Sequence, residues 1–539
     1  MSFDNSIGYT GDYKLRNIVL INDRGERVPL PSGLVQQFSI YEDINKSALT
    51  GTMTILDNLN LINTVPLMGS ERLAFTLMTP GTTKNEHIID ASEKTGYPFH
   101  IYRLSDVKHV AEGIQNYILH FGSRDFINNL RMRVSQAYEG PLHAAALAIL
   151  KDPMGLNTPR AITYEPTLNK DKVVIPNLRP LDAVKFLANR SLSKNSNSAG
   201  YYFYETTKGF HFRSYESMLS LKGKHYRDEK LILTYQPKGV KAVDQAEKNL
   251  FNVDSYEFVQ HFDTATNQAQ GTYANRVILH NIFDKSFTPT EQANYDYLAH
   301  FHKHFHADSV GTASMHNYPV STTPVDESNK NYISSFPEGY VTLQPTTQFL
   351  HGNNSLYSGS TSVTDLLAIA GKSAASKYDM SDEDKKILST LASIGGVGGL
   401  FGILPETEAH AESTRISQRN QVANTNLLKI TMAGHTYLEV GDVIYFQLPA
   451  VEKNKGTGRL YSFDEHHAGR YLVTTINHLV QGPYYKMVLG CVKDSVYRHY
   501  IPSQTHTTSA LPKDKIANLY TEDEKLMGAK ASPGHPSNR

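Results

Sequence analysis

The stretch YLEVGDVIYFQLPA, Tyr437–Ala450, places a glycine and an acidic residue just before a short apolar strand that stops at proline. Far upstream, PLMGSERLAFTLMTPG, Pro66–Gly81, does the same with Gly69, Glu71, the run RLAFTLM and Pro80. In Arg72–Met78 the residues Leu73, Phe75 and Leu77 share one face, the period-two spacing of a half-buried strand. The echo predicts two related β modules, one towards each end of the chain.

Working outward from the upstream copy, TGTMTIL (Thr50–Leu56) alternates with Gly51, Met53 and Ile55 on one face. LRNIVLI (Leu15–Ile21), LVQQFSIY (Leu34–Tyr41), FHIYRL (Phe99–Leu104) and NYILHFG (Asn116–Gly122) complete six candidate strands. Short strands separated by turn residues predict an antiparallel sandwich or barrel. Around the downstream copy lie LLKITMAG (Leu427–Gly434), RYLVTTINHLV (Arg470–Val480) and YYKMVLGCV (Tyr484–Val492). Four strands are too few to close a barrel of useful size. The run ANRVILHNIF (Ala274–Phe283) is expected to supply another.

Between the two modules the pattern changes to helical. GPLHAAALAIL (Gly140–Leu150) and RPLDAVKFLANRSL (Arg179–Leu192) each open with proline at the first helical positions and repeat apolar residues on one helical face. They surround strand candidates at KVVIP (Lys172–Pro176) and LILTYQP (Leu231–Pro237) and a hairpin, YYFYETTKGFHFRSY (Tyr201–Tyr215), turning at Thr206–Gly209. An α+β domain is predicted here. Gly352–Ala411, rich in Ala, Gly and Ser, reads as an inserted helical segment, and the polar, aperiodic chain after Ser503 as a tail with no core of its own.

Composition bounds the function. At 539 residues the chain is too long for one ordinary core, and three or four domains are expected. Lys plus Arg (53) equals Asp plus Glu (53), which argues against a surface built to neutralise phosphates. Cys491 is the only cysteine, so neither a disulfide framework nor a thiolate metal cluster is expected. The opening MSFDNSIGYTGDYK has no apolar core of signal-peptide type, and no run approaches the roughly 18 apolar residues of a membrane span. The expectation is a soluble protein folded in a reducing cytoplasm, with no stable membrane insertion.

Motifs that bear chemistry are few. AGKSAAS (Ala370–Ser376) contains GKS, but Leu366 stands where a phosphate-binding loop needs glycine. HFHKHFH sets His300, His302, His304 and His306 at period two, so a strand would aim all four imidazoles at one face, a ligand set suited to zinc, copper or nickel. No carboxylate at a catalytic spacing accompanies them. His466 and His467 are weaker candidates, and His478, inside a strand, reads as a hydrogen-bonded wall residue. GGVGGLFGI (Gly395–Ile403) is too short to span a membrane and reads as a packed turn. No G-x-S-x-G occurs. No catalytic, cofactor or metal residue is assigned from the sequence.

Several stretches, in order, resemble the central hub protein of contractile bacteriophage baseplates. They are NLRPLDAVKFLANRS (Asn177–Ser191), GYYFYETTKGFHFRSYESM (Gly200–Met218) and GTYANRVILHNIFDKSF (Gly271–Phe287). The C-terminal run matches best: Gly441–Asp442, an apolar strand, then Gly469, Tyr471, Val473, Ile476 and His478, followed by YYKMVLGCVKDS. The same runs are similar to late-control proteins of other phages and to the hub part of type VI secretion spikes. The resemblance spans Phe38 to Asp494, leaving out Gly352–Ala411.

The resemblance implies an α+β, mainly β protein with two tail-tube-like antiparallel β-barrels flanking a middle α+β domain. The divisions expected are 1–135 for the first barrel and 136–270 for the middle domain. Residues 271–351 would contribute a strand to the barrel plus a connection. The rest divides into 352–411 for the helical insertion, 412–502 for the second barrel and 503–539 for the tail. It further implies a non-enzymatic homotrimeric ring, without cofactors, that joins the sixfold tail tube to a trimeric central spike and lets DNA pass through its channel. Tail-tube or tube-initiator proteins and baseplate wedge proteins would be the other partners, and the virion tail, assembled in the host cytoplasm, the location. Two rival readings are a type VI spike hub and a metal-dependent cell-wall hydrolase that uses His300–His306.

Overall fold

The computed structural model describes residues 9–281 apart from short stretches that include 220–231 and 236–248, then isolated strands between 286 and 345, and finally 405–424, 426–449, 467–493 and 495–497. The first module holds β1 (Lys14–Ile21), β2 (Arg27–Pro29), β3 (Val35–Asp43), β4 (Thr50–Asp57), helix α1 (Leu61–Thr64), β5 (Arg72–Met78), β6 (Ile88–Asp90), β7 (Phe99–Ala111) and β8 (Ile114–Gly122). The sheet order is β2-β1-β5-β7-β8-β4-β3, with β6 added to β5. β4 alternates buried and half-buried residues along its whole length, with Gly51, Met53 and Ile55 inward. Helix α2 (Arg124–Arg131) follows, its first turn capped by Ser123, whose hydroxyl accepts from the Phe126 N–H at 3.2 Å.

The middle domain contains β9 (Ala137–Pro141), α3 (Leu142–Lys151), β10 (Ile162–Tyr164), β11 (Lys170–Val174), α4 (Pro180–Ala188), β12 (Tyr201–Thr206), β13 (Gly209–Ser214) and α5 (Tyr215–Leu219). Its separate core packs Leu142, Ile149, Leu181 and Leu187 of the two main helices onto Phe203, Phe210 and Phe212 of the hairpin. Both helices and the hairpin stand where the apolar spacing predicts them.

The chain then enters the second module with β14 (Ile232–Tyr235) and β15 (Asn252–Gln260), leaves it through α6 (Thr264–Ala269), β16 (Ala274–Asn281), β17 (Ser286–Ala293), β18 (Asn317–Pro319), β19 (Val325–Asp326), β20 (Asn331–Tyr332) and β21 (Val341–Pro345), and continues through α7 (Pro405–Asn424). It ends with β22 (Asn426–Ala433), β23 (Val443–Gln447), β24 (Gly469–Gln481), β25 (Tyr484–Lys493) and β26 (Ser495–Tyr497). Pairing runs β24-β23-β14-β15-β22-β25 and back to β24, a closed six-stranded barrel. The fold is therefore α+β and mainly β.

Three details correct the sequence reading. First, the described part of Ala274–Phe283, strand β16, does not enter the barrel. β16 has both edges taken, by β17 antiparallel and β21 parallel, and Ile416 of α7 packs on its Val277 and Leu279. β14 and β15 complete the barrel instead, drawn from residues expected in the middle domain. Second, the barrel is not purely antiparallel, because β14 lies parallel to both β23 and β15. Parallel neighbours need a connection longer than a hairpin, which the chain between Tyr235 and Asn252 provides. Third, the expected division between residues 411 and 412 falls inside α7, a continuous helix whose Glu, Ala, Arg and Gln content favours that state. The remainder of the 352–411 insertion and the 503–539 tail lie outside the described residues.

The opening echo has a structural counterpart. Gly69 and Gly441 adopt φ of +91° and +90°, and the acidic residue near each turns back onto the loop. Glu71 accepts from the N–H groups of Met68 and Gly69, both at 2.8 Å. Asp442 accepts from the Glu439 N–H at 3.1 Å. In both modules a carboxylate closes the loop that feeds an inward-facing strand. At Gly441 a side chain is also sterically barred, since a Cβ would lie 2.2 Å from the Tyr204 hydroxyl.

The two modules share one sheet. β24 pairs with β23 over Gly469–Leu472, and its later residues, Thr475–Gln481, pair antiparallel with Asp43–Gln37 of β3. One contiguous apolar core runs through both modules, from Phe38, Phe75 and Phe121 to Ile430, Ile476 and Leu489.

Candidate functional site: a carboxylate junction between the modules

A cluster of polar contacts lies where the tip of the β12–β13 hairpin meets both β modules. The sequence YETTKGF makes a two-residue turn, Thr207–Lys208, between paired Thr206 and Gly209. That turn carries Glu205, Thr206 and Thr207 into the junction.

Glu42 enters from β3. It shares the inward face of Phe38 and Ile40 and is 1% exposed. Its carboxylate accepts from the Thr207 N–H at 2.8 Å and from the Val440 N–H at 3.2 Å, one donor from the middle domain and one from the second module. The His478 Nε2 of β24 lies 4.0 Å from the same carboxylate. Burial raises the Glu42 carboxyl to about 7; the backbone hydrogen bonds oppose this, and the charge of Glu439 adds to it. Burial lowers the His478 imidazole to about 4, favouring its neutral form. The other ring nitrogen of His478 shares a 2.7 Å hydrogen bond with the Tyr485 hydroxyl of β25.

Glu205 performs the reciprocal task. It accepts from the Leu49 N–H at 2.8 Å and the Ser123 hydroxyl at 2.7 Å in the first module, and from the Arg160 guanidinium at 2.5 Å in its own. Glu439, from the loop before β23, accepts from the Thr206 hydroxyl at 3.2 Å and faces Lys208 and His211 at 3.6 Å each. Each carboxylate is thus engaged by donors from a different module. Where the donor is cationic, as Arg160 is to Glu205, the charge-assisted hydrogen bond is about twice as strong as a neutral one, and the bonds between modules together act as a clamp.

Of the residues singled out in the sequence, only His478 reaches the junction. His300–His306, Ala370–Ser376, Gly395–Ile403 and His466 lie outside the described residues. His467 stacks with His261 at 4.9 Å and lies 4.6 Å from the Phe258 ring. His478 stands in the barrel wall, bonded to Tyr485. Among the described residues, no group of three or more His, Cys, Asp or Glu is placed to hold a metal ion. Sequence reasoning missed Glu42, Glu205 and Glu439. The available signal was parity: Glu42 continues the inward series of Phe38 and Ile40, and Glu205 that of Tyr201 and Phe203.

No family model matches this chain, and no curated protein matches it. Solved structures do. The chain is similar to phage tail proteins. The 43 kDa tail protein of prophage MuSo2 from Shewanella oneidensis is 7% identical, with 89% of this chain and 98% of that one covered and a TM-score of 0.44. A tail protein from Neisseria meningitidis MC58 is 9% identical, with coverages of 90% and 97% and a TM-score of 0.41. The E. coli c3393 protein, a type VI secretion component described as similar in structure to the T4 tail proteins gp27 and gp5, is 11% identical, with coverages of 91% and 79% and a TM-score of 0.38. These are the same classes of protein that the sequence stretches resemble. Identities this low transfer no residue role.

Proposed function

We propose that this chain is a structural, non-enzymatic hub of a contractile phage-tail baseplate. Three copies form a ring that adapts a sixfold tail tube to a threefold central spike and leaves a channel for DNA. The observation that carries the reading is the side-by-side placement of two β modules in one sheet, joined by β3 and β24 and entered by the same glycine-and-carboxylate loop. One chain with two β modules is what cyclic threefold assembly needs to present six units to a sixfold partner. The carboxylate junction fits this role, because it fixes the two modules relative to each other before any partner docks. A formal net charge of zero suits a channel that passes DNA without gripping it. The trimeric spike, tube or tube-initiator proteins and wedge proteins are the partners, and the virion tail the location.

Native mass spectrometry of the full chain, alone and mixed with a trimeric spike protein, tests this. A trimer, or a complex of three chains with three spike chains, is expected. A chain that stays monomeric and ignores spike, tube and wedge proteins alike would overturn it.

A further inference from the structure

The first module carries a half-open cleft of about 320 Å³, lined by Arg72, Glu93, Pro98, His100 and Arg124. That volume falls at the lower end of the range for small-molecule sites. The sheet register builds it. Leu73 and Phe99 belong to the apolar core, so Arg72 and His100, each one residue away, take the opposite face of the sheet. The two are direct cross-strand partners between β5 and β7. His100 pairs in turn with Gly122 of β8, and two residues on, Arg124 opens α2. Phe126 of α2 fills the space that a side chain at Gly122 would need, which sets the helix against this face. Arg72, His100 and Arg124, all half-buried, thus meet at one cleft.

The charges at this cleft do not balance. Glu93, the one carboxylate of the lining, is engaged by Arg27 at 2.5 Å. Asp125, beside Arg124 in the chain, is buried and accepts from the Thr158 hydroxyl at 2.6 Å. Among the described residues, neither Arg72 nor Arg124 forms an ion pair. Burial, then the charges of Arg72, Arg124 and Arg131, lower the His100 imidazole, which favours a neutral ring with one N–H to donate. Like charges set opposite each other across a ladder are destabilising, and an anion between them offsets that cost. We propose that this cleft is a binding site for a small oxyanion of the phosphate class, its oxygens held by Arg72 and Arg124 with His100 as a further donor. Guanidinium forks match the paired oxygens of phosphate, and partial burial strengthens such bonds over those made in open water. The cleft also has room for a small organic group esterified to the phosphate. The site belongs to the first module alone and is independent of the hub reading.

Isothermal titration calorimetry of the full chain at constant ionic strength tests it, with inorganic phosphate and glycerol phosphate as separate probes. Saturable binding at a single site is expected, and the tighter probe shows whether the ligand is the free ion or a phosphate ester. Arg72→Gln and Arg124→Gln should each weaken binding by about tenfold or more. Arg72→Lys, which keeps the charge and loses the fork, should fall between Arg72→Gln and the wild type. No saturable binding at millimolar phosphate would overturn the proposal, and so would binding that both glutamine variants leave unchanged. Acetate binding as tightly as phosphate would also overturn it, since the cleft would then be a dock for a partner's carboxylate. If Arg72→Gln fails to fold, Arg72→Lys and Arg124→Gln decide.

Discussion

Phe38 of β3 and Phe75 of β5 lie with ring centroids 4.8 Å apart, edge to face, although β7, β8 and β4 stand between their strands in the sheet. The two rings meet because the first sheet curls round on itself. Phe99 and Phe121 fill the same space, at 5.5 Å from Phe75 and 5.4 Å from Phe38 respectively. Among the described residues, no pairing joins β3 back to β1, so the aromatic cluster rather than a closing ladder holds the curl.

That cluster predicts a narrow tolerance at Gly51. A Cβ there would come within 2.3 Å of the Phe121 ring and 2.5 Å of the Ser39 carbonyl oxygen, a backbone atom with nowhere to go. Gly51→Ala is expected to cost about 1–3 kcal/mol by urea unfolding, whereas Gly33→Ala, with open space around it, leaves the midpoint unchanged.

The Glu42–His478 pair predicts two opposed pH dependences that cancel in the wild type. The Glu42 carboxyl is raised to about 7 in the fold, so its stabilising protonated form is complete below the unfolded value near 4.3 and lost as pH climbs to about 7. The His478 ring is lowered to about 4, so its contribution is present above the unfolded value near 6.5 and lost as pH falls to about 4. Glu42→Gln should therefore unmask stability that rises with pH across this window. His478→Gln should unmask stability that falls with pH. Each slope amounts to about 3 kcal/mol over the range, and parallel slopes in both variants would disprove the pairing.

Glu205→Ala removes the acceptor for Leu49, Ser123 and Arg160 at once and leaves a mostly buried guanidinium without its carboxylate. Breaking a buried pair from one side costs about 3–5 kcal/mol. Chemical unfolding should show that loss, and proteolysis of the native protein should then cut at the hairpin junction first.

Cys491 reports on the barrel. It is 1% exposed on β25, and burial raises its thiol well above the usual range. Its reaction with a thiol reagent should slow by about a thousandfold or more relative to the urea-unfolded chain, since labelling waits for the barrel to open. Rapid native labelling would mean that β25 detaches on its own.

Much of this was legible in the sequence, for a physical reason. β4, β22, β24 and β25 bury one or both faces, so their alternation or apolar runs are strong. The helices α3 and α4 announce themselves by proline at the start and an apolar face. β15 was not legible. Its residues are mostly half-buried or exposed, and Asp254, Ser255, Glu257 and Gln260 dilute any apolar period. What completes the barrel was hidden for the same reason that the junction was: both depend on partners distant in the chain. Nothing near Glu42 in the sequence points to Val440, 398 positions away.

That distance has a consequence on the ribosome. β3 emerges early, but the strand that covers its free edge, β24, is made only after the middle domain and the segments beyond it. Until then a freshly translated β3, paired on its other side with β4, shows one unpaired edge and an inward glutamate with no donors from Val440 or Thr207. Such edges invite pairing between nascent chains. Slow synthesis or crowding on one message should therefore favour chains that trade β24 with a neighbour.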